Sequence, residues 1–227
     1  MNNTIFITGT DTDVGKTFVS CLILIAINSL GLKTFGLKPI ASGCEENNVG
    51  ELVNQDALLL QCNASIKKTY EIVNPISFKN PIAPHIAANE TNMKLTKEMV
   101  CQAIIRSIQN GADINLIEGV GGWAVPLNNI ELFSDVVIEL KIPVILVVGI
   151  KLGCLNHALL TYHNMLARGG ELIGWVANCL DPYTLSIKEN IETLKNWIAA
   201  PCLGVVPYNC KSITCININA IKQQLFQ

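Results

Sequence analysis

The stretch Gly9-Thr10-Asp11-Thr12-Asp13-Val14-Gly15-Lys16-Thr17 decides the fold of this chain. The apolar run Ile5 to Thr8 precedes it and predicts a buried strand, whereas Val19 to Leu30 follow it and predict a helix. A strand, a glycine-bounded loop ending in Gly-Lys-Thr and a helix are typical of a phosphate-binding loop. The backbone N–H groups of such a loop and the start of its helix face an oligophosphate. We therefore expect Lys16 to reach the terminal phosphates of a nucleotide and the Thr17 hydroxyl to ligate Mg²⁺.

The spacing of the two loop glycines is unusual. Five residues separate Gly9 from Gly15, whereas the common Walker pattern has four residues between its glycines. A Gly-Lys-Thr triplet also occurs by chance in unrelated chains, but the strand before it and the helix after it favour a phosphate loop here. The extra residue indicates a version of the loop that differs from those of Ras-like and F1-like proteins.

Strand and helix candidates alternate along the rest of the chain. The clearest is the apolar run Pro143 to Gly149, which predicts a buried parallel strand. Further strands are predicted at 34–38, 115–118, 171–178 and 203–206, and further helices at 57–61, 95–108, 133–140, 156–167 and 186–198. This alternation predicts a single α/β domain over residues 1–227, similar to P-loop NTPases, with a mostly parallel sheet and helices on both faces. Ligands of such folds bind at the C-terminal ends of the strands, so polar residues just after strands are the candidate site residues.

The composition argues against several classes of partner. Half of the 227 residues are hydrophobic, 15% are charged and the formal net charge is −2, so a large core can form. There is no basic block interleaved with aromatic residues, so we expect no nucleic-acid partner. No segment approaches the roughly 18 uninterrupted apolar residues of a membrane-spanning helix. Residues 1–4 lack the basic stretch of a secretory signal. We therefore expect a cytoplasmic protein that does not bind membranes.

The nine cysteines show no metal-ligand or disulfide pattern. No two are spaced Cys-x-x-Cys, and Cys202, Cys210 and Cys215, which lie closest together in sequence, have no histidine near them. An odd number of scattered cysteines in an apolar chain is typical of reduced thiols that serve as small core residues. This pattern supports the expected cytoplasmic location.

A second lysine follows the second predicted strand, in the segment Lys38-Pro39-Ile40-Ala41-Ser42-Gly43. Lys38 lies at the same edge of the predicted sheet as Lys16, so the two ammonium groups can bracket one phosphate and neutralise charge on a phosphoryl group in transfer. The alternative for Lys38 is a solvated surface lysine. Ser42 is a candidate donor to the substrate, although serine is also common in turns for structural reasons.

Two acidic residues complete a candidate magnesium site. Glu118 ends the strand Asn115-Leu116-Ile117-Glu118 and precedes Gly119-Val120-Gly121-Gly122, where P-loop enzymes carry their Walker B carboxylate. Asp56 begins a short helix after a polar loop, and its alternative role is that of an ordinary helix N-cap. Together with Thr17, these carboxylates offer the hard oxygen ligands that Mg²⁺ prefers.

Two further segments after strands have open roles. In Lys151-Leu152-Gly153-Cys154-Leu155-Asn156, exposed N–H groups can hold an anion, but the spacing alone favours a plain helix start. Asn178 offers a donor and an acceptor that suit a nucleobase edge. The residues Asn178-Cys179-Leu180-Asp181 half-match the guanine-binding Asn-Lys-x-Asp motif, but the lysine is missing, so guanine is disfavoured. Pro207 and Tyr208 after the last strand can form a wall beside a purine.

Taken together, these motifs resemble the dethiobiotin synthetase family, whose members use ATP to close the ureido ring in biotin synthesis. The resemblance runs nearly end to end and includes the five-residue spacing of the loop glycines. Its motifs are Gly9 to Thr17, Lys38 to Gly43, Asn74-Pro75, Pro84-His85, Glu118 to Trp123, Val144 to Gly149, Lys151 to Ala158, Gly174 to Asn178 and Gly204 to Pro207. The segments 118–123 and 151–154 are far more specific than the phosphate loop alone.

The resemblance implies a set of site residues. Lys16 and Lys38 would act in catalysis by holding the γ-phosphate of ATP and a reacting carbamate. Mg²⁺ would be ligated by Thr17, Asp56 and Glu118. The residues implied to bind ATP are Asp13, Val14, Gly15, Lys16, Thr17, Phe18, Asp56, Glu118, Gly119, Val120, Gly121, Asn178, Cys179, Pro207, Tyr208 and Asn209.

The resemblance also implies how the second substrate, 7,8-diaminononanoate, is held. Thr12 and Ser42 would contact it. Because the family forms homodimers with the substrate site at the subunit interface, Gly153, Cys154 and Asn156 of this chain would bind the carboxylate of the substrate held by the neighbouring subunit. This implication reverses the plain helix start that spacing alone favours for the segment.

The implied reaction is the Mg²⁺- and ATP-dependent carboxylation and ring closure of 7,8-diaminononanoate with CO₂ to dethiobiotin. A substrate amine adds CO₂ to form a carbamate, and a carbamate oxygen attacks the γ-phosphate to form a carbamic–phosphoric anhydride. The second amine then closes the ring and phosphate leaves.

Two other functions remain open from the sequence. A nucleotide-controlled switch ATPase of the partitioning and septum-positioning type would share the sheet, but Thr10 to Val14 lack the lysine that marks those proteins near the loop start. An amide-forming ligase for another polyamine or a corrinoid would share the ATP site, and only substrate tests distinguish it.

Overall fold

The structure, a computed structural model, describes residues 3–210 and 212–225. Met1 and Asn2, part of the segment in which the sequence shows no secretory signal, lie outside the described residues, as do the last two residues of the predicted domain 1–227. The described strands are β1 Thr4–Gly9, β2 Thr34–Leu37, β3 Ile40–Ser42, β4 Glu45–Glu46, β5 Leu52–Val53, β6 Ile76–Phe78, β7 Ile114–Glu118, β8 Val144–Ile150, β9 Leu172–Cys179 and β10 Cys202–Val206. The described helices are α1 Lys16–Asn28, α2 Gln55–Asn63, α3 Tyr70–Val73, α4 Pro84–Glu90, α5 Lys97–Ser107, α6 Phe133–Glu139, α7 Cys154–Ala167, α8 Ile187–Trp197 and α9 Ile218–Leu225, with a 3₁₀ turn at Ile213–Cys215.

Six strands form one parallel sheet in the order β10-β9-β8-β1-β7-β2, which confirms the predicted mostly parallel sheet. The register places Ile7 of β1 beside Glu118 of β7, and Leu37 of β2 beside Ile117. The C-terminal ends of β1, β2 and β7 therefore meet at one edge of the sheet. This edge brings together the phosphate loop after β1, Lys38 after β2 and Glu118 at the end of β7.

Helices cover both faces of the sheet, as the near-continuous apolar strands predict. The side chains of β1 alternate: Ile5 and Ile7 pack on the face that α1 covers, whereas Phe6 packs on the face that α5 and α6 cover. On the same face of the sheet as Phe6, strands β8 and β9 pack against α7 and α8. Between residues 3 and 210 and between 212 and 225, no helix is long and apolar enough to cross a membrane.

The segment between β2 and α5 departs from the regular pattern. Besides α2, which the sequence predicts at 57–61, it contains the parallel pair β3–β6, the antiparallel pair β4–β5 and the short helices α3 and α4, which the sequence does not predict. Strands of two or three residues and helices of four to seven residues are too short to show a hydrophobic period. This segment forms one wall of the site described below.

Candidate functional site

The phosphate loop between β1 and α1 surrounds a buried lysine. Gly15 has φ +82, a left-handed conformation that glycine adopts without strain, and it turns the chain into α1. The Lys16 ammonium group donates to the carbonyl oxygen of Asp11 at 3.0 Å. Burial, and next the positive charge of Lys38, lower the pKa of Lys16 from 10.5 to about 8, although nearby carboxylates oppose this shift. An anion bound in the loop would favour the protonated amine.

A buried ionic network lies directly beside the loop, and we refer to Thr17, Lys38, Asp56 and Glu118 as the Lys38 cluster. The Lys38 ammonium group donates to Oε1 of Glu118 at 2.6 Å and to Oδ2 of Asp56 at 2.9 Å. The Thr17 hydroxyl donates to the same Oε1 at 2.8 Å. Lys38 and Glu118 are buried, whereas 41% of the Asp56 side chain is exposed. The structure therefore brings together Thr17, Asp56 and Glu118, which the sequence predicts for Mg²⁺, and Lys38, which it predicts for the phosphoryl group.

The charges in the Lys38 cluster stabilise one another. Burial alone would lower the pKa of Lys38, but the negative charges of Glu118 and Asp56 raise it above its ordinary value. Burial would likewise raise the pKa of Asp56, but the charge and hydrogen bond of Lys38, with smaller contributions from Thr17 and Lys16, lower it. The cluster is thus a mutually compensated ion pair network in which Lys38 is protonated and Asp56 is ionised.

The donor atoms of the Lys38 cluster fit a hard divalent cation. Oε2 of Glu118 is buried and has no hydrogen-bond partner among the described residues, so a carboxylate oxygen is available next to the Thr17 hydroxyl. Two carboxylates and a hydroxyl, with water and phosphate oxygens, suit Mg²⁺. Within the described ranges no group of three or more His, Cys, Asp or Glu residues gathers into a metal site, so a protein-only cage does not form there. Lys38 lies between the two carboxylates.

A cavity of about 830 Å³, the phosphate-loop cavity, opens over this network. Its lining includes the predicted residues Thr12, Asp13, Gly15, Lys16, Thr17, Lys38, Ser42, Asp56, Val120 and Gly121. Oγ of Ser42 is buried and finds no hydrogen-bond partner in the described part of the chain. A hydroxyl group in this state is available to a ligand in the cavity.

A second cavity of about 640 Å³, the Tyr208 cavity, lies at the ends of β9 and β10. It is lined by the predicted residues Phe18, Asn178, Cys179, Pro207, Tyr208 and Asn209, and also by Leu180 and Cys210. The Asn178 carboxamide donates from Nδ2 to the carbonyl oxygen of Val14 at 2.9 Å. Asn178 therefore connects this cavity to the phosphate loop, and its remaining N–H and its oxygen are available for a ligand.

The remaining predicted residues lie beneath or outside the two cavities. Val14 and Glu118 are fully buried under the loop, and a side chain at Gly119 would collide with Phe6. Gly153, Cys154 and Asn156 at the start of α7 line neither cavity of this chain. The Cys154 side chain is buried and its backbone N–H donates to the Lys151 carbonyl at 3.0 Å.

The sequence analysis missed several residues of the phosphate-loop cavity. Asn54 lines it and caps α2, because its side chain accepts from the N–H groups of Asp56 and Ala57. Asp56 is therefore not the N-cap, and its carboxylate is free to pair with Lys38. An asparagine two residues before a predicted helix is a recognisable capping signal. The wall formed by 81–84 and 124–126 carries no such signal in the sequence.

Comparisons with known proteins agree with this arrangement. A family profile described as an AAA domain matches residues 3–214. The ATP-dependent dethiobiotin synthetases BioD of Pseudomonas aeruginosa (strain LESB58) and Cellvibrio japonicus (strain Ueda107) are each 48% identical to this chain over 202 residues, which are 89% of this chain and 88% of theirs. The BioD of Pseudoalteromonas translucida (strain TAC 125) is 45% identical over 204 residues, which are 90% of this chain and 89% of that protein.

Solved structures with a similar fold are far more distant in sequence. The MinC:MinD cell division protein complex of Aquifex aeolicus matches 95% of this chain and 85% of that chain with a TM-score of 0.52 and 14% identity. Chloroplast FtsY from Physcomitrella patens matches all of this chain with a TM-score of 0.52 and 16% identity, and this chain spans 66% of the FtsY chain. These likenesses concern the fold alone and confirm the predicted P-loop NTPase-like class.

The BioD relatives are 45–48% identical to this chain, whereas the solved structures are 14–16% identical. The BioD relatives align over nearly nine tenths of both chains at almost half identity, so the similarity extends well beyond a shared sheet. From this extent of identity we conclude that the chain belongs to the ATP-dependent dethiobiotin synthetase family.

Proposed function

We propose that this protein, acting as a single domain, catalyses the ATP- and Mg²⁺-dependent carboxylation and ring closure of 7,8-diaminononanoate with CO₂ to dethiobiotin. The observation that carries the proposal is the convergence of Lys16, Lys38 and Asp56 on one cavity, with the buried carboxylate of Glu118 bonded to Lys38 beneath it. The protein also belongs to a family whose members are named ATP-dependent dethiobiotin synthetases, and this membership supports the assignment of the substrate.

We assign ATP to both cavities. The adenine would lie in the Tyr208 cavity, where Asn178 offers a donor and an acceptor to its edge and Pro207 and Tyr208 form a wall. The phosphates would lie along the loop residues Asp13 to Phe18, with the terminal phosphate near Lys16. The hydrogen bond from Asn178 to Val14 supports this path, because it holds the proposed base-binding side chain against the phosphate-binding backbone.

Mg²⁺ would be held by Thr17, Asp56 and Glu118 together with phosphate oxygens and water. When bound, the ion supplies charge neutralisation for the phosphoryl group in transfer. The buried, unpartnered oxygen of Glu118 supports this role, since a carboxylate oxygen in that state needs a cation or a donor.

Lys38 would supply positive charge at the reacting group. It pairs with Asp56 and Glu118 in the structure and lines the phosphate-loop cavity. Its ammonium group would neutralise the carbamate and the γ-phosphate, with Lys16 on the other side of the same phosphoryl group. Positioning and charge neutralisation are the large contributions in phosphoryl transfer, so no covalent enzyme intermediate is required.

The diamine would occupy the part of the phosphate-loop cavity near Thr12 and Ser42. The unpartnered Ser42 hydroxyl supports a polar contact there. The start of α7, with Gly153, Cys154 and Asn156, lies apart from both cavities of its own chain, which suits a role at the carboxylate of the substrate in a second subunit of a homodimer. We further propose a cytoplasmic location, because all nine thiols are free.

The test is phosphate release from Mg-ATP and bicarbonate, with and without 7,8-diaminononanoate, together with mass spectrometry of the product. We expect release that depends strictly on the diamine, and a product heavier than the diamine by one carbonyl less two hydrogens. Hydrolysis that is indifferent to the diamine would exclude this function and favour a switch ATPase. Diamine analogues or a corrinoid acid that replace the diamine with higher kcat/KM would favour a different amide-forming ligase.

A further inference from the structure

Two cysteines that have no role in the proposed reaction lie in contact beside the Tyr208 cavity. The sulfur atoms of Cys210 and Cys215 are 3.4 Å apart. Both thiols donate to the carbonyl oxygen of Ser212, at 3.3 Å from Cys210 and 3.0 Å from Cys215. The 3₁₀ turn at Ile213–Cys215 turns the chain back, so that thiols five positions apart meet. Both residues are partly exposed, so a small oxidant can reach them.

The two cysteines belong to different parts of the structure. Cys210 lines the Tyr208 cavity, and its backbone N–H donates to the Pro207 carbonyl at 3.1 Å. Cys215 is fixed to the sheet, because its carbonyl packs so closely on Gly204 of β10 that no side chain fits there. The adjacent bridge between Gly204 and Ile216 adds to this attachment. A bond between the sulfur atoms would therefore tie the edge of the cavity to the sheet.

We propose that Cys210 and Cys215 are a redox modification site, which forms a reversible disulfide with a low-molecular-weight disulfide as oxidant and thereby weakens nucleotide binding in the Tyr208 cavity. The formation of the bond depends only on the geometry of the two thiols. Its effect on ATP rests on the proposed function, in which this cavity holds the base.

The order of the chemical steps follows from the positions of the two thiols. Cys210 lines the open Tyr208 cavity, whereas Cys215 lies against β10, where burial, and next the hydrogen bond and charge of Cys210, raise the pKa of its thiol to about 12. The thiol that faces the cavity therefore reacts first: Cys210 gives its proton to water and attacks the external disulfide RSSR, releasing RS⁻. Cys215 then gives up its proton and attacks the sulfur of Cys210, which releases the second RS⁻. Two protein thiols are oxidised, and one RSSR with two protons becomes two RSH.

The bond changes the wall of the cavity. A disulfide is about 2.05 Å long, so the sulfur atoms must approach by about 1.3 Å from their present separation. Because Cys215 is fixed to β10, most of this movement falls on Cys210, whose side chain lines the cavity. The contact that Cys210 and the neighbouring Asn209 make with a bound base is then altered.

The experiment treats the full-length reduced protein with oxidised glutathione, blocks the remaining thiols with iodoacetamide and maps the peptides by mass spectrometry. We expect a Cys210–Cys215 disulfide that dithiothreitol reverses, and an ATP Kd at least threefold higher in the oxidised than in the reduced protein. In Cys215→Ser, glutathione should remain attached to Cys210. Cys62→Ser, which removes an exposed thiol on α2, is the matched control and should form the disulfide as the wild type does.

Three results would overturn parts of the proposal separately. Separate glutathione adducts, or two alkylated thiols at positions 210 and 215, would exclude the disulfide. A disulfide with an unchanged ATP Kd would exclude the effect on the cavity. A reduced protein that does not bind ATP would contradict the proposed function, while the peptide map of the wild type would still decide whether the thiols pair. The peptide map and the ATP Kd are both measured on the wild-type protein, so neither measurement depends on the folding of a variant.

Discussion

The ammonium group of Lys38 lies 2.6 Å from Oε1 of Glu118, and both side chains are buried. The same oxygen accepts the hydroxyl hydrogen bond of Thr17. One carboxylate oxygen thus serves a lysine proposed for the phosphoryl group and a threonine proposed for Mg²⁺. Replacement of Lys38 and replacement of Glu118 therefore test the two sides of one contact.

Replacement of Lys38 separates catalysis from nucleotide binding. In Lys38→Ala we expect kcat to fall by about 100-fold or more, since a preorganised charge at the reacting group is lost. The ATP Kd should change by less than about threefold, because Lys16 and the loop backbone remain. Phosphate release and calorimetric titration measure the two quantities. Lys97→Ala, which removes a half-buried lysine paired with Glu139 outside both cavities, should change neither. An unchanged kcat in Lys38→Ala would remove Lys38 from the mechanism.

Replacement of Glu118 by its neutral isostere affects both the metal and the fold. Glu118→Gln should raise the Mg²⁺ concentration for half-maximal activity at least tenfold, because a charged ligand is lost. It should also lower the free energy of unfolding by about 3 kcal/mol, since removal of one partner leaves a buried ion pair incomplete. Urea denaturation measures this change. Glu139→Gln removes a charge from an ion pair near the surface, and it is the control for both the Mg²⁺ requirement and the free energy of unfolding. An unaltered Mg²⁺ requirement would exclude Glu118 as a ligand.

Gly15 allows a direct test of the contact between the loop and the Tyr208 cavity. An alanine there would adopt an unfavourable left-handed conformation and collide with Nδ2 of Asn178. Gly31 has a similar φ, +76, but open space around it. Both alanine variants should lose about 1–2 kcal/mol of stability from backbone strain. Only Gly15→Ala should also abolish ATP binding in calorimetric titration. Equal ATP affinity in the two variants would contradict the proposed path of the nucleotide.

The pKa of Lys16 predicts a specific pH dependence of stability without ligand. The folded protein binds this proton more weakly than the unfolded chain, so the destabilisation is complete below pH 8 and disappears as the pH rises from about 8 towards 10.5. Lys16→Met should therefore increase the free energy of unfolding by roughly 3 kcal/mol at pH 7. This difference from the wild type should shrink towards zero near pH 10.5.

Urea denaturation of wild type and variant at several pH values between 7 and 10.5 measures the Lys16 difference. Lys33→Met, at an exposed lysine, serves as the matched control and should show a constant difference across this range. A Lys16→Met difference that does not change with pH would show that burial of this amine has no energetic effect.

Ser42 is expected to act on the diamine alone. Its buried hydroxyl lacks a partner in the parts of the chain that the structure covers, so Ser42→Ala removes no internal hydrogen bond there. We expect an increase of about fivefold to tenfold in the KM for 7,8-diaminononanoate, which corresponds to one lost hydrogen bond of about 1 kcal/mol. Steady-state kinetics should show an unchanged KM for ATP. A change confined to ATP would place Ser42 at the nucleotide instead.

The parallel sheet was predictable because its strands carry strong and separate signals. The continuous apolar run of β8 indicates a strand that is buried on both faces. The glycine-bounded loop between β1 and a helix indicates a phosphate-binding loop. Lys38 and Glu118 were predicted from the rule that ligands bind at the C-terminal ends of strands, and Lys16 from the phosphate loop. The structure brings these three residues together at one edge of the sheet, and Asp56 joins them from α2.

The sequence does not specify which partner each side chain selects. The pairing of Lys38 with two carboxylates depends on the position of α2, which Asn54 caps, and this position depends on contacts distant in sequence. The bond from Asn178 to Val14 joins residues 164 positions apart, and no local pattern predicts it. The contact of Cys210 with Cys215 results from a 3₁₀ turn that is too short for a periodic signal.

The balance of charge in the Lys38 cluster has a consequence for how ionic strength affects this protein. Lys38 and, beside it, Lys16 face the carboxylates of Asp56 and Glu118, so these charges have counter-ions within the protein before any ligand arrives. Dissolved salt screens buried charges much less than exposed ones. The buried pair of Lys38 and Glu118 should therefore persist at high ionic strength, whereas the pairing of Lys38 with Asp56, whose side chain is 41% exposed, should weaken.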